Sequence, residues 1–205
     1  MHVMTLLAAL LALQSAPPAD KPFGGAPSEP PAAPSAPAAT PSKPAITPIG
    51  VGSPAPKLSV DTWVRGEPVA SLEPGKVHVI EFWATWCGPC IQAMPHLSEV
   101  QRRHPDLVVI SVAGMERGAA PEAGKPDERL EKVRAMVERK KDVIDYRVAY
   151  DGDQSMVREW LMPARQRSIP CAMVIGRDGR ILWIGHPMSM DAAVASALKK
   201  PVTGG

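Results

Sequence analysis

Residues 77–84, Val-His-Val-Ile-Glu-Phe-Trp-Ala, form an apolar, β-rich run bounded by Pro74-Gly75 before it and by Cys87-Gly88-Pro89-Cys90 just after it. An apolar run of that length between turn signals reads as a buried central strand. Beyond the cysteines, Ile91, Met94, Leu97 and Val100 recur in steps of three, the stripe of a helix over 90–103. Leu107 to Val112, Leu-Val-Val-Ile-Ser-Val, is a second buried strand. Strand, helix, strand in that order is a right-handed βαβ unit. The cysteine pair therefore falls where a buried strand hands over to a helix.

The remaining pattern extends the sheet. Residues 127–141 follow a polar loop (118–126) and carry a narrow apolar edge of Leu130, Val133 and Val137, a charged helix. Val148–Tyr150 is a short strand. Asp151–Met162 reads as a helix with Met156, Trp160 and Leu161 inward and Asp153 or Ser155 as cap. Ala172–Ile175 and Arg180–Ile184 flank Arg177-Asp178-Gly179, and Asp-Gly between apolar runs signals a hairpin. Met190–Lys199 closes the chain as an amphipathic helix. The expected fold class is α/β, a central mixed β-sheet flanked by helices.

Proline divides the chain. It accounts for 24 of 205 residues, against a usual ~5%, and 13 of the 24 fall in residues 1–57. Val3–Leu13 is an apolar stretch too short to span a bilayer, which needs ~20 residues. It fits the core of a signal peptide over 1–16, with small residues for cleavage at Gln14-Ser15-Ala16. Residues 17–57 are Pro/Ala-rich and without apolar period, a polyproline-like linker. Residues 58–205 form the globular domain. The expected location is the periplasm or cell envelope, with a membrane tether through the N-terminus as an alternative to cleavage.

A net charge of +2 argues against a nucleic-acid partner. Three cysteines are too few for a disulfide scaffold and leave one thiol over.

The motif has a direct chemistry. Cys87 at a helix N-terminus meets unpaired N–H groups and the helix dipole, which favour a thiolate. Cys90, one turn in, is shielded. Cys87 is thus the nucleophile toward a disulfide, and Cys90 resolves the mixed disulfide. A lone C-x-x-C also forms half of a zinc site. However, His96, His104 and His186 stand singly and Cys171 is the only other thiol, so no metal is expected. Glu81 interrupts the central strand six residues before Cys87. Buried carboxylates are costly unless paired or used, and strand alternation puts Glu81 on the face of Trp83, opposite Ile80 and Phe82. There it can accept the Cys90 proton. Ile169-Pro170 opens the hairpin and is a candidate cis bond.

Phe82-Trp83-Ala84-Thr85-Trp86-Cys87-Gly88-Pro89-Cys90, followed by Pro95, resembles the active site of the thioredoxin superfamily. The Trp-Ala-Thr-Trp form is similar to the exported TlpA/ResA-like thiol–disulfide oxidoreductases. Ser168-Ile169-Pro170 and Arg177-Asp178-Gly179-Arg180-Ile181 resemble that family's cis-proline loop and terminal hairpin. The resemblance covers roughly residues 52–199. It implies a thioredoxin-like fold, with residues between Val112 and Tyr150 as the TlpA-type insert after the first βαβ unit. It implies catalytic Cys87, Cys90 and Glu81. Trp86, Gly88, Pro89, Ile169 and Pro170 become the substrate-binding surface.

The implied activity is reduction of protein disulfides in the cell envelope, part of redox homeostasis. It uses no bound cofactor, draws electrons from a membrane thiol donor and is carried out by a monomer. Cys171, where the family more often has Thr, is either a small buried residue or a candidate third redox thiol. In the second case it forms a disulfide with Cys87 or Cys90, or a three-thiolate metal site. Two rival readings stand beside this one. One is a thiol peroxidase on the same fold, the other a non-catalytic metal- or partner-binding module using Cys87, Cys90 and Cys171.

Overall fold

Strand β2 (Val77–Trp83) is buried at every position, as an unbroken apolar run requires. The computed structural model describes residues 47–60 and 62–201. Among these, β2 pairs in parallel with β3 (Leu107–Ala113), and β3 in parallel with β4 (Arg147–Tyr150). On its other edge β2 runs antiparallel to β5 (Cys171–Ile175), which forms a hairpin with β6 (Ile181–Gly185). A short outer strand, β1 (Thr62–Arg65), lies antiparallel to β4, giving the order β1-β4-β3-β2-β5-β6. The sheet is mixed, with helices α1 (Gly88–Arg103), α2 (Glu128–Arg139) and α3 (Asp191–Lys199). The expected α/β thioredoxin-like architecture is the one observed.

Alternation along β2 splits the core in two. Val77, Val79 and Trp83 pack with Met94, Leu97 and Val100 of α1, Val133 of α2 and Val194 of α3. Ile80 and Phe82 face the other way, onto Ile110, Met156, Trp160 and Met173. All three α-helices therefore serve one face. The second face is covered by a helical turn at 155–161 and by apolar residues from Ile49 to Leu72.

The helix expected over Asp151–Met162 is shorter and wider. Val157–Leu161 is a π-helical turn, with Met162 N–H donating to Val157 O at 3.0 Å and Gln166 N–H to Leu161 O at 2.9 Å. Asp153 Oδ1 accepts the Ser155 N–H at 2.9 Å, and the Asp151 carboxylate accepts the N–H groups of Met156 (3.2 Å) and Val157 (3.1 Å), so two carboxylates cap the turn. The wider turn sets Trp160 and Leu161 inward together.

The linker expected to end at residue 57 ends earlier. Ile49 N–H donates to Pro163 O (3.1 Å), Gly52 N–H to Ile181 O (2.7 Å), and Ile181 N–H returns to Ser53 O (2.9 Å). Pro54 forms a bridge with Arg180. Composition could not separate this strap from the tether. Pro48, Pro54 and Pro56 lack donors, but Gly52 and Ala55 between them supply the hydrogen bonds a strap needs. The signal segment (1–16) and linker residues 17–46 lie outside the described residues.

Trp160 is fully buried and its Nε1 donates to Lys57 O at 3.0 Å, joining the strap to the second core. Trp160→Phe should lower stability by about 1–3 kcal/mol, through the lost hydrogen bond to Lys57 O and the cavity left by the smaller ring. Urea denaturation reads the loss. Amide exchange should rise first over residues 49–58.

Candidate active site

The end of β2 turns directly into α1. Ala84 O accepts the Cys87 N–H at 3.0 Å, and Cys87 is the N-cap residue of α1. Its backbone is extended, and its Sγ accepts the Cys90 N–H at 3.2 Å. Pro89 sits in the first turn, where a missing N–H costs nothing. Cys87 and Cys90 are joined by a disulfide, with Cα atoms 5.3 Å apart. Cys87 is 4% exposed and Cys90 is 1%. The first turn of α1 holds no acidic residue. The helix N-terminus therefore acts on the Cys87 sulfur with no carboxylate in its own first turn and favours its thiolate on reduction.

Glu81 lies on the cysteine face of β2, as alternation predicts, and is buried. Parallel register sets it opposite Ser111, whose Oγ donates to Glu81 Oε2. Glu81 Oε1 is buried and has no partner among the described residues. Burial pushes this carboxyl up to about 8, against a smaller downward pull from Ser111. At neutral pH it holds its proton. A neutral carboxyl in the strand leading to a disulfide is a proton store with a pKa near that of a thiol.

The peptide bond Ile169–Pro170 is cis. The Phe82–Cys171 pairing carries Pro170 to the Trp83 end of β2, where the cysteine loop begins. Gly88, Pro89 and Trp86 are exposed around the disulfide, and Ile169 is half-buried.

Cys171 does not join this group. With Met173 and Ile175 it packs in the second core, across the sheet from Cys87–Cys90. Burial, with a further contribution from the Glu81 charge, pushes its thiol up to about 12. The candidate third redox thiol is a buried, protonated core residue. The three-thiolate set fails for the same reason: β5 alternation points Cys171 away.

Three residues of the site carry no signal in the cysteine motif. The loop after β3 brings Glu116 under the active-site turn. Its Oε1 accepts the Thr85 N–H and its Oε2 accepts Thr85 Oγ1 at 2.7 Å. Met115 O accepts Trp86 Nε1 at 2.8 Å, and the Arg117 guanidinium stacks 4.1 Å above the Trp86 ring. Met115-Glu116-Arg117 thus fixes the two residues before Cys87. In the sequence it is a polar stretch after a strand, with no visible tie to Thr85-Trp86.

The Redoxin family model matches residues 50–198. Among curated proteins, the chain is 31% identical over 137 residues to Protein FixW of Rhizobium leguminosarum, covering 67% of this chain and 61% of FixW. It is 42% identical over 64 residues to the thioredoxin-like protein YneN of Bacillus subtilis, covering 30% of this chain and 36% of YneN. The chain thus spans about three fifths of FixW and about a third of YneN. Among solved structures, it is similar in fold to the thioredoxin domain of a thiol-disulfide oxidoreductase from Bacteroides vulgatus. That match has a TM-score of 0.55 and 19% identity, over 72% of this chain and 97% of that one. A thiol-disulfide isomerase from Corynebacterium glutamicum matches at TM-score 0.51 and 20% identity, over 74% and 98% of the two chains.

The Glu81 environment predicts a pH dependence. Between about pH 4.5 and 8 the unfolded chain has lost this proton while the fold keeps it. The folded state then binds more protons, so its stability falls as pH rises through that window and levels off above it. Glu81→Gln should remove this slope, worth several kcal/mol in the oxidised wild type. Urea midpoints of both proteins from pH 5 to pH 9 read the difference. Parallel curves would contradict the assignment.

Proposed function

The chain belongs to the Redoxin family, and on that premise we propose that it is an exported thiol–disulfide oxidoreductase that reduces protein disulfides in the cell envelope. One observation carries this reading: the Cys87–Cys90 disulfide caps α1 while a protonated Glu81 lies buried on the same face of the strand that leads into it.

The reaction follows from those positions. In the reduced protein the Cys87 thiolate attacks one sulfur of the substrate disulfide. A Cys87–substrate bond forms, and the other substrate sulfur leaves as a thiolate and takes a proton. Glu81 gives up its stored proton to solvent and, as the carboxylate, takes the Cys90 proton, and the Cys90 thiolate attacks the Cys87 sulfur of the mixed disulfide. The Cys87–Cys90 bond closes, and the second substrate sulfur leaves and is protonated. Two electrons pass from protein to substrate; the dithiol loses one proton, from Cys90, and because Cys87 enters as a thiolate the second proton the products take up comes from solvent. The dithiol carries the electrons, so the step calls for no bound cofactor. Trp86, Gly88, Pro89, Ile169 and Pro170 form the surface that meets the substrate.

The apolar stretch Val3–Leu13 and the Pro/Ala linker support export to the periplasm or envelope. In that oxidising setting a reductant must itself be re-reduced, which calls for a thiol donor in the membrane. Gly88-Pro89 between the cysteines supports a reducing potential. The thioredoxin-like protein YneN and the Bacteroides and Corynebacterium thiol-disulfide proteins are in keeping with thiol–disulfide chemistry. The protein acts as a monomer on disulfide-containing envelope proteins.

Equilibrium titration against dithiothreitol, with mass-resolved thiol trapping, tests the direction. The Cys87–Cys90 couple should lie below about −230 mV, toward the thioredoxin value of about −270 mV. A value above about −180 mV would make the protein an oxidant or isomerase. Cys90→Ser should accumulate a mixed disulfide at Cys87, and Cys87→Ser should be inactive.

A further inference from the structure

Next to the active-site loop the surface opens into a groove of about 680 Å³. Met115, Leu161 and Met162 give it an apolar lining, and Arg165 and Arg167 line it as well. Two of its lining residues adjoin the substrate-binding surface. Met115 is the residue whose carbonyl holds Trp86, and Arg167 immediately precedes Ser168-Ile169-Pro170. Met162 is 55% exposed and Trp86 41%, so both present apolar surface to solvent. Methionine is unbranched and polarizable and adapts to side chains of varied shape.

Outside this groove the arginines are engaged: Arg65, Arg147, Arg177 and Arg180 donate to backbone carbonyls and Arg139 to the Met136 sulfur. Arg102, Arg103, Arg129, Arg134 and Arg158 each pair with a carboxylate. Among the described residues, no carboxylate pairs with Arg117, Arg165 or Arg167. The nearby Glu116 is occupied by Thr85. Arg165 also holds a left-handed backbone, at φ 57°, which Gly or Asn would adopt more readily. Arg165, with its left-handed backbone, and Arg167 thus set two guanidiniums at a mainly apolar channel. The complementary ligand is an extended segment that alternates apolar and acidic side chains.

We propose that the groove docks the stretch of a substrate protein adjoining its reactive cysteine, and that it selects stretches combining an apolar side chain with carboxylates. The apolar side chain fills the space between Met115, Leu161 and Met162. The carboxylates face Arg165 and Arg167. The cysteine then lies at Trp86 and Cys87. This specificity rests on the oxidoreductase reading above.

The test uses the full chain, reduced beforehand with dithiothreitol and then freed of it. Two disulfide-bearing peptides of equal length carry Leu followed by two Glu, or Leu followed by two Lys, beside the cysteine. Hydroxyethyl disulfide, small and neutral, is the control. At low salt the acidic peptide should be reduced about tenfold faster in kcat/KM, the scale of two exposed ion pairs against two repulsions. The preference should shrink as salt rises.

Arg165→Glu/Arg167→Glu should invert the preference and leave the hydroxyethyl disulfide rate unchanged. Equal peptide rates in the wild type would overturn the groove inference while leaving the oxidoreductase reading standing. So would a charge-reversed variant that slows all three substrates alike. Failure to reduce even hydroxyethyl disulfide would overturn both. A dimer that buries the groove and dissociates on charge reversal would assign the surface to self-association and overturn the docking of substrate.

Discussion

A carboxyl group in the middle of a strand with no water on either face has only two stable arrangements: it pairs with a cation, or it keeps its proton. Among the described residues no cation pairs with Glu81. Ser111 supplies one hydrogen bond from the adjoining parallel strand, and the other carboxyl oxygen is left unpaired. The sheet that buries Glu81 is the same sheet that delivers Cys87 to the start of α1. The raised pKa and the placement of the disulfide thus have one origin, a central strand covered on both faces and running straight into a helix.

Around that axis the structure assembles three supports. The register of β2 with β5 brings the cis Ile169–Pro170 bond to the cysteine end of the strand. The loop after β3 fastens the turn before Cys87 through Glu116 to Thr85 and Met115 to Trp86. At the start of α2, Asp127 and Arg129 form a nearly buried ion pair, and Asp127 also accepts Tyr150 OH at 2.7 Å. That pair ties α2 to the end of β4, next to the Met115-Glu116-Arg117 loop. Each support comes from a different stretch of chain, so the site depends on the fold and not on the motif alone.

What could be read from the sequence follows from how local each signal is. The strand, the cysteine pair and the helix stripe are contiguous and carry clear periods, and the Phe82/Glu81 alternation assigned faces correctly. The Asp-Gly hairpin was equally local. Glu116 and Arg117 were not legible, because their partners lie some thirty residues away and only the sheet brings them together. Strand β1 was missed because four residues at a sheet edge, with an arginine among them, make a weak pattern. The strap at 49–56 was absorbed into the linker because proline content signals the absence of donors, not the absence of order. Cys171 was placed near the disulfide by adjacency along the chain. A strand's period of two sends it to the other face.

The state of Glu81 is the point on which the chemistry turns, and it can be observed directly. Carbon-13 NMR of the oxidised protein, labelled at glutamate side-chain carboxyls and assigned with Glu81→Gln, follows one resonance through pH. The structure predicts a midpoint near 8. A midpoint in the ordinary glutamate range, about 4.3, would mean that the carboxyl is hydrated or ion-paired. The account of a buried proton store serving the Cys87–Cys90 couple would then be wrong.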